Sequence, residues 1–275
     1  MNWKQGLLFV FGLCSFQLSY GQLMDEETGI MTENGYKRYI TAGVGAVYQS
    51  FYDDAISKYN YQKIGFSPSV GHLKINEITF SEFYLQGSML KFNRGKGTSN
   101  SLSVSTARAL LDYRFLVRAP LNFLGFDMRA GGMLSAMYGN KKAPHLYSSS
   151  DINEYAASFG LTIRIAKESY FKKKPVIISW DFSMPLITNF SRPTYLNRVE
   201  NLDPDNKEWK DFIENSVTKS IGGYLRYNSR LNYTYLLDNG NAVRLSYIWD
   251  YTRLKHNKIA YFAEHTVMLS FLLNH

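Results

Sequence analysis

The sequence predicts an all-β chain folded as a single antiparallel transmembrane β-barrel, and three observations carry that reading. Apolar residues recur with a period of two from residue 38 to the end, so successive side chains fall on opposite faces of strands. An export-type segment precedes them, and no later stretch is apolar for the 18 or so residues a membrane-crossing helix needs. Composition agrees: 21 Tyr and 18 Phe stand against 7 Pro in 275 residues, with 20% charged residues and a net charge of +8. Aromatic side chains favour strands. A single Cys removes any internal disulfide framework and every cysteine-rich zinc pattern.

The N-terminus has the parts of a cleaved signal. Lys4 precedes the apolar run 6–16, and Ser19, Tyr20 and Gly21 lead to Gln22 as the mature start. Residue Leu13 before Cys14 is too large for a lipoprotein signal. The expected organisation is a signal peptide over 1–21, a periplasmic segment over 22–37 and a barrel over 38–275.

Each strand follows from alternation. Ile40, Ala42, Val44, Ala46 and Tyr48 form one face of the first, and Phe66, Pro68, Val70 and His72 a weaker second. Phe83, Leu85 and Met89 lie opposite Glu82, Tyr84 and Gln86. In 107–117, Ala109, Leu111, Tyr113 and Phe115 lie opposite Arg108, Asp112 and Arg114. Runs of the same kind cover 124–136, 154–165, 176–186, 221–235, 243–251 and 261–273. That makes ten strands, with twelve the alternative if 189–218 conceals more. Several match the roughly 9–11 residues of a tilted membrane strand. Connections centred on 50–63, 90–100, 138–152, 189–218 and 252–259 are predicted to be long and to face outward. Those at 74–77, 118–121, 167–174 and 236–241 are predicted short and periplasmic. Asp238-Asn239-Gly240 reads as a three-residue hairpin loop with Gly in the left-handed position. Its register pairs residues whose numbers sum to 478, which sets Asn228 against Asp250 with Arg230 diagonal to it.

The polar faces supply the candidate site. Seven acids (Glu82, Asp112, Asp127, Glu154, Asp181, Asp250 and Glu264) and seven bases (Arg108, Arg114, Arg129, Arg164, Arg226, Arg230 and Arg244) share them. Charges in a narrow lumen must pair or stay in water, because an unpaired buried charge costs several kcal/mol on the order of magnitude. The guanidinium fork suits pairing across a small lumen. The expectation is a charge network that occludes the barrel. Tyr48, Tyr113, Trp180, Tyr233, Tyr235, Trp249, Tyr251 and Tyr261 fall on the outward faces as an aromatic girdle. Lys concentrates in the connections, with Lys96, Lys141, Lys142, Lys172 and Lys255 among them.

The 189–218 connection is too long for mere linkage. Asp205 or Asn206 is placed to cap a short helix there, and Tyr195, Trp209 and Phe212 make it a candidate partner loop. Catalytic patterns are weak. His72 and His265 have the lipid-facing parity, His275 is terminal, and His145 and His256 lie in outer connections. Asp53 and Asp54 could join His145 and His256 at the rim only on paper. Asn93-Arg94-Gly95-Lys96-Gly97 lacks the glycine spacing of a P-loop. No catalytic residue, cofactor or metal site is therefore expected. The expected partners are outer-membrane lipid and a protein of the envelope, with nucleic acid excluded by export.

The signal ending Ser19-Tyr20-Gly21 before Gln22, the Tyr-rich strands and the closing strand 264–273 together resemble an outer-membrane β-barrel protein of the Bacteroidota type. The resemblance is one of pattern over most of the mature chain, and the ending Asn274-His275 departs from the aromatic terminus common in such barrels. It implies a Gram-negative outer-membrane location and carries no functional residue across. The function expected is a non-enzymatic barrel with an occluded lumen, a structural or accessory subunit of an envelope complex. A small passive channel and an outer-membrane hydrolase are the alternatives.

Overall fold

Alternating apolar and polar side chains let a strand face hydrocarbon on one side and a polar interior on the other, provided the sheet closes and leaves no unpaired edge in lipid. A computed structural model of the chain describes residues 36–54, 57–94, 102–120, 125–142, 151–172, 174–192, 216–256 and 258–275. The strands in order are β1 (Tyr36–Asp53), β2 (Ser57–Asn76), β3 (Thr79–Arg94), β4 (Leu102–Arg118), β5 (Asp127–Lys142), β6 (Asp151–Phe171), β7 (Lys174–Ser191), β8 (Val217–Ser220), β9 (Tyr224–Leu236), β10 (Ala242–His256) and β11 (Lys258–Asn274). Sequential neighbours other than β8 and β9 pair antiparallel, β1 pairs with β11, and β6 pairs with β7, so the sheet closes on itself. Strands β8 and β9 share one position in the wall. Both lie on β7, with the register broken between Ile187↔Ser220 and Ser183↔Asn228 by a turn at 221–223. The wall therefore counts ten strands.

The polarity of the wall is inverted relative to a soluble protein. Val44, Phe66, Val70, Leu134, Leu161, Leu245, Val267 and Phe271 are exposed on the outside. Arg114 and Arg226, each 1% exposed, are among the most deeply buried side chains. A closed wall that is apolar outside and charged inside belongs in an outer membrane.

The strands are longer than the alternation indicates. Residues 50–63 and 252–259, which read as connections, are strand over most of their length. Pairs run to Asp53↔Ser57 at one tip and His256↔Lys258 at the other. The weak second strand is part of a β2 of 20 residues. The reason is physical. An 18-residue strand spans ~60 Å, or ~45 Å along a barrel axis tilted as such strands are, while the apolar band is only ~25 Å tall. Beyond that band both faces meet water and alternation fades, as at exposed Asn60 and Gln62.

The hairpin between β9 and β10 has the expected register, with Asp250↔Asn228 and Ala242↔Leu236. The Leu237 N–H donates to the Asn241 carbonyl at 2.9 Å, and Gly240 has φ +82°. The segments 1–21 and 22–35, the helix expected near 205–213, and Tyr195, Trp209 and Phe212 lie outside the described residues.

Candidate functional site: an ion-paired lumen

The inward-facing side chains stack in layers along the barrel. Nearest the chain ends lies an apolar layer of Tyr39, Leu73, Phe80, Leu116, Ala242 and Leu272, with Ile75 and Leu236 packed against it. Every strand that contributes places an apolar residue at its periplasmic end, and the layer plugs the lumen there.

The charged layer stands above this plug. Glu82 on β3 faces three guanidinium groups, from Arg230 at 3.0 Å, Arg244 at 3.5 Å and Arg114 at 3.8 Å. Arg114 lies 3.7 Å from Asp112, and Asp112 lies 3.6 Å from Arg226. Arg226 Nη2 donates to Asp250 Oδ2 at 2.6 Å, and its Nε donates to the same oxygen at 3.0 Å. Arg108 continues the chain, 3.3 Å from Asp250 and 3.6 Å from Glu264. These nine charged groups, from β3, β4, β9, β10 and β11, form one connected array across the lumen. A separate pair joins Arg164 on β6 to Asp181 on β7 at 2.7 Å. Arg129 and Asp127 pair at 2.8 Å beside partly exposed Arg118.

Neutral polar groups complete the array. Gln49 and Gln86 each donate to Glu264 at 3.3 Å. Asn232 donates to Asp181 at 2.8 Å, and Asn228 donates to Asp250 at 3.2 Å. The Arg230 guanidinium lies 4.1 Å from the Tyr84 ring centroid, and that of Arg108 4.5 Å from Phe262. Stacking of this kind lets an arginine bury its planar face while its edge keeps its ion pairs.

The structure places twelve of the fourteen charged residues named from sequence in buried lumen positions and leaves Asp127 and Glu154 partly exposed. One pairing differs. Arg230 does not meet its diagonal neighbour Asp250. It crosses the lumen to Glu82, and Arg226 takes Asp250 from the other diagonal. Cross-lumen distance in a closed barrel depends on which distant strands face each other, and a hairpin register does not contain that information.

The outer mouth holds a cluster that the sequence reading missed. Lys141, assigned to a connection, is a buried lumen residue of β5, 3.1 Å from Asp53 and 2.9 Å from Glu154. Arg192 pairs with Asp53 and lies 3.0 Å from Glu154. Lys141 shares the parity of Arg129 and Ser135 on β5, so extending the alternation by five further residues reaches it. Below this cluster lie two apolar groups, Val47, Phe51, Tyr61, Leu90 and Val104, and Ala156, Phe190, Tyr224 and Leu254. A cavity of ~70 Å³ lies between the mouth cluster and Arg108, lined among others by Met137, Phe190 and Phe262. That is room for a few waters.

Among the described residues no group of three or more His, Cys, Asp or Glu is arranged to hold a metal. Asp53 is engaged in the mouth ion pairs, and Asp54 accepts a hydrogen bond from Tyr52 at 3.4 Å. His265 lies on the outer face, its Nδ1 2.7 Å from the Tyr247 hydroxyl. His72 stands edge-on to His275, with ring centroids 5.6 Å apart. His145 lies outside the described residues.

No protein-family model matches the chain. No curated protein matches it significantly either. Among solved structures it is similar to the outer membrane protease OmpT from Escherichia coli, at 10% identity and a TM-score of 0.46, over 90% of this chain and 99% of that one. It is also similar to the translocator domain of the autotransporter NalP from Neisseria meningitidis, at 8% identity and a TM-score of 0.33, over 98% and 96% of the two chains. A third is the attachment invasion locus protein Ail of Yersinia pestis, crystallised with the heparin analogue sucrose octasulfate, at 8% identity, a TM-score of 0.30, and 87% and 99% coverage. Scores this low carry no argument about activity.

Proposed function

We propose that the protein is a non-enzymatic, non-conducting outer-membrane barrel that serves as a structural or accessory subunit of an envelope complex. The observation that supports this is the filling of the lumen. The ion-paired array spans it, an apolar plug closes the periplasmic end, and paired charges cover the mouth. A solute would have to break several buried ion pairs at once, and each broken pair leaves a charge uncompensated at a cost of about 3–5 kcal/mol. With the interior occupied, the surfaces left for function are the outer rim and its connections. The 193–215 connection, with Tyr195, Trp209 and Phe212, is the proposed contact with a protein partner. Cleavage after Gly21 would deliver the barrel to the envelope, and the Tyr-rich strands favour a Bacteroidota source.

Single-channel recording in a planar bilayer tests the closed lumen. The expected trace shows no steady open level. A steady conductance on the scale of general porins overturns the proposal and favours a small passive channel, the reading that the outer cavity supports. Affinity purification in mild detergent tests the subunit role. A stoichiometric envelope protein should co-purify and be lost on deletion of 196–212, while the barrel still shows heat-modifiable migration. A solitary monomer would remove the subunit role.

A further inference from the structure

The periplasmic ends of β1, β2 and β11 carry opposite chemistries on their two faces. Tyr39, Leu73 and Leu272 point inward and belong to the plug. Arg38, Ile40, His72, Lys74 and Leu273 alternate with them and point outward. The register sets these outward groups side by side. Leu273, Ile40, His72 and Phe83 form one row across four strands, through the pairs Ile40↔Leu273, Ile40↔His72 and His72↔Phe83. One step nearer the periplasm, Arg38 pairs with Lys74. The His275 N–H donates to the Arg38 carbonyl at 3.4 Å, and the His275 ring stands edge-on to His72.

The result is an amphiphilic corner on a single face of the wall. Ile40, Leu273 and Phe83 are 50%, 53% and 40% exposed, and Val70 and Phe271 continue the apolar surface toward the bilayer centre. Arg38, Lys74 and the two imidazoles border it on the periplasmic side. Lys74 has a further interaction of its own, so Arg38 leads the set. Of the two acids within 70–85, Glu82 faces the lumen and Glu77 lies beyond the end of β2. The other strand ends differ. The last outward positions of β4, β5, β9 and β10 before their periplasmic ends are Val117, Met128, Tyr235 and Val243. On β6, the Lys167 ammonium lies over the Phe126 ring, 5.0 Å from its centroid.

We propose that this corner binds an anionic phospholipid of the inner leaflet. Its acyl chains would lie on Ile40, Leu273 and Phe83, and its phosphate would meet Arg38 and Lys74. The planar guanidinium fork suits two phosphate oxygens at once, and the His72 and His275 N–H groups add donors at the boundary. Cations that border an exposed apolar surface on the same face match an anionic headgroup on its own hydrocarbon. The short turns place this end of the barrel on the periplasmic side, which selects the inner leaflet. A divalent metal held by the two imidazoles fits less well, because Arg38 and Lys74 beside them repel a cation. The proposal rests on the membrane placement of the barrel and is independent of whether the lumen conducts.

Native mass spectrometry of the folded protein in detergent tests it, with phosphatidylglycerol and phosphatidylethanolamine of the same acyl chains as probes. The wild type should retain phosphatidylglycerol selectively, and excess glycerol 3-phosphate should not displace it, because the apolar rows hold the chains. The double variant Arg38→Gln, Lys74→Gln should bind it about tenfold more weakly. Lys167→Gln, which removes an exposed outward cation on β6, should leave binding unchanged. Heat-modifiable migration verifies that each variant is folded. Equal retention of phosphatidylethanolamine, equal weakening by Lys167→Gln, or displacement by glycerol 3-phosphate overturns the proposal. Zinc bound through His72, with no phosphatidylglycerol retained, would do the same.

Discussion

The lumen is closed in two chemically opposite ways, and the contrast shows what each can do. At the periplasmic end, Leu73, Phe80, Leu116 and Leu272 exclude water by packing alone. In the middle, Glu82, Asp112, Asp250 and Glu264 alternate with five arginines. The plug gains free energy from each methylene it buries and tolerates exchange among similar shapes. The charged array gains little net, because desolvation offsets attraction, but the loss of any one member is costly. The array therefore adds little net stability to the wall, yet each member depends on the others. The plug contributes stability without discriminating among partners.

Three substitutions sharpen this comparison, the largest effect first. Asp250→Ala leaves Arg226 and Arg108 without their shared carboxylate and should destabilise the barrel by about 3–5 kcal/mol. The measurement is urea-induced unfolding from lipid vesicles followed by tryptophan fluorescence. Replacing the pair together, with Arg226→Met and Asp250→Leu, should recover most of that loss. If the double variant is as unstable as the single, the array is more than mutual charge compensation. Leu73→Ala, at a fully buried plug position, should cost about 2–5 kcal/mol in the same assay. No combination with a charged-layer variant should rescue it, and any rescue would show that the two layers are coupled.

The smallest effect belongs to the exposed pair at the periplasmic turns, Lys174 with Asp238. Asp238→Ala should shift stability by about 0–1 kcal/mol and lose even that in high salt, because exposed pairs are screened. A loss as large as that of Asp250→Ala would mean that exposure does not separate these ion pairs.

Much of this architecture was legible in the chain. Alternation alone separates Val44, Leu245 and Val267 from Arg114, Arg226 and Asp250, because a period of two assigns every side chain to one of two solvents. Asp238-Asn239-Gly240 fixes the β9–β10 register, since few turn geometries join adjacent strands and one of them needs a left-handed glycine. The strand tips were not legible. Beyond the bilayer both faces of a strand meet water, and Asn60 and Gln62 no longer follow a contrast that hydrocarbon would enforce.

Only the closed barrel decided the rest. Arg230 reaches Glu82 from a strand 148 residues away in sequence, and Arg192 meets Asp53 across 139. Local pattern shows that these groups point inward but not whom they meet. That depends on strand number and stagger, which set which parts of the wall stand opposite each other. The interruption of the β2–β3 ladder between Ser69↔Gln86 and Phe66↔Met89 was equally hidden, because Pro68 marks a lost donor without saying how the neighbouring strand pairs around it. Sequence determined the two faces of the wall, through the free energy of placing each side chain in lipid or in the lumen. Tertiary closure determined the partners across it, because they are brought together by geometry and not by proximity along the chain.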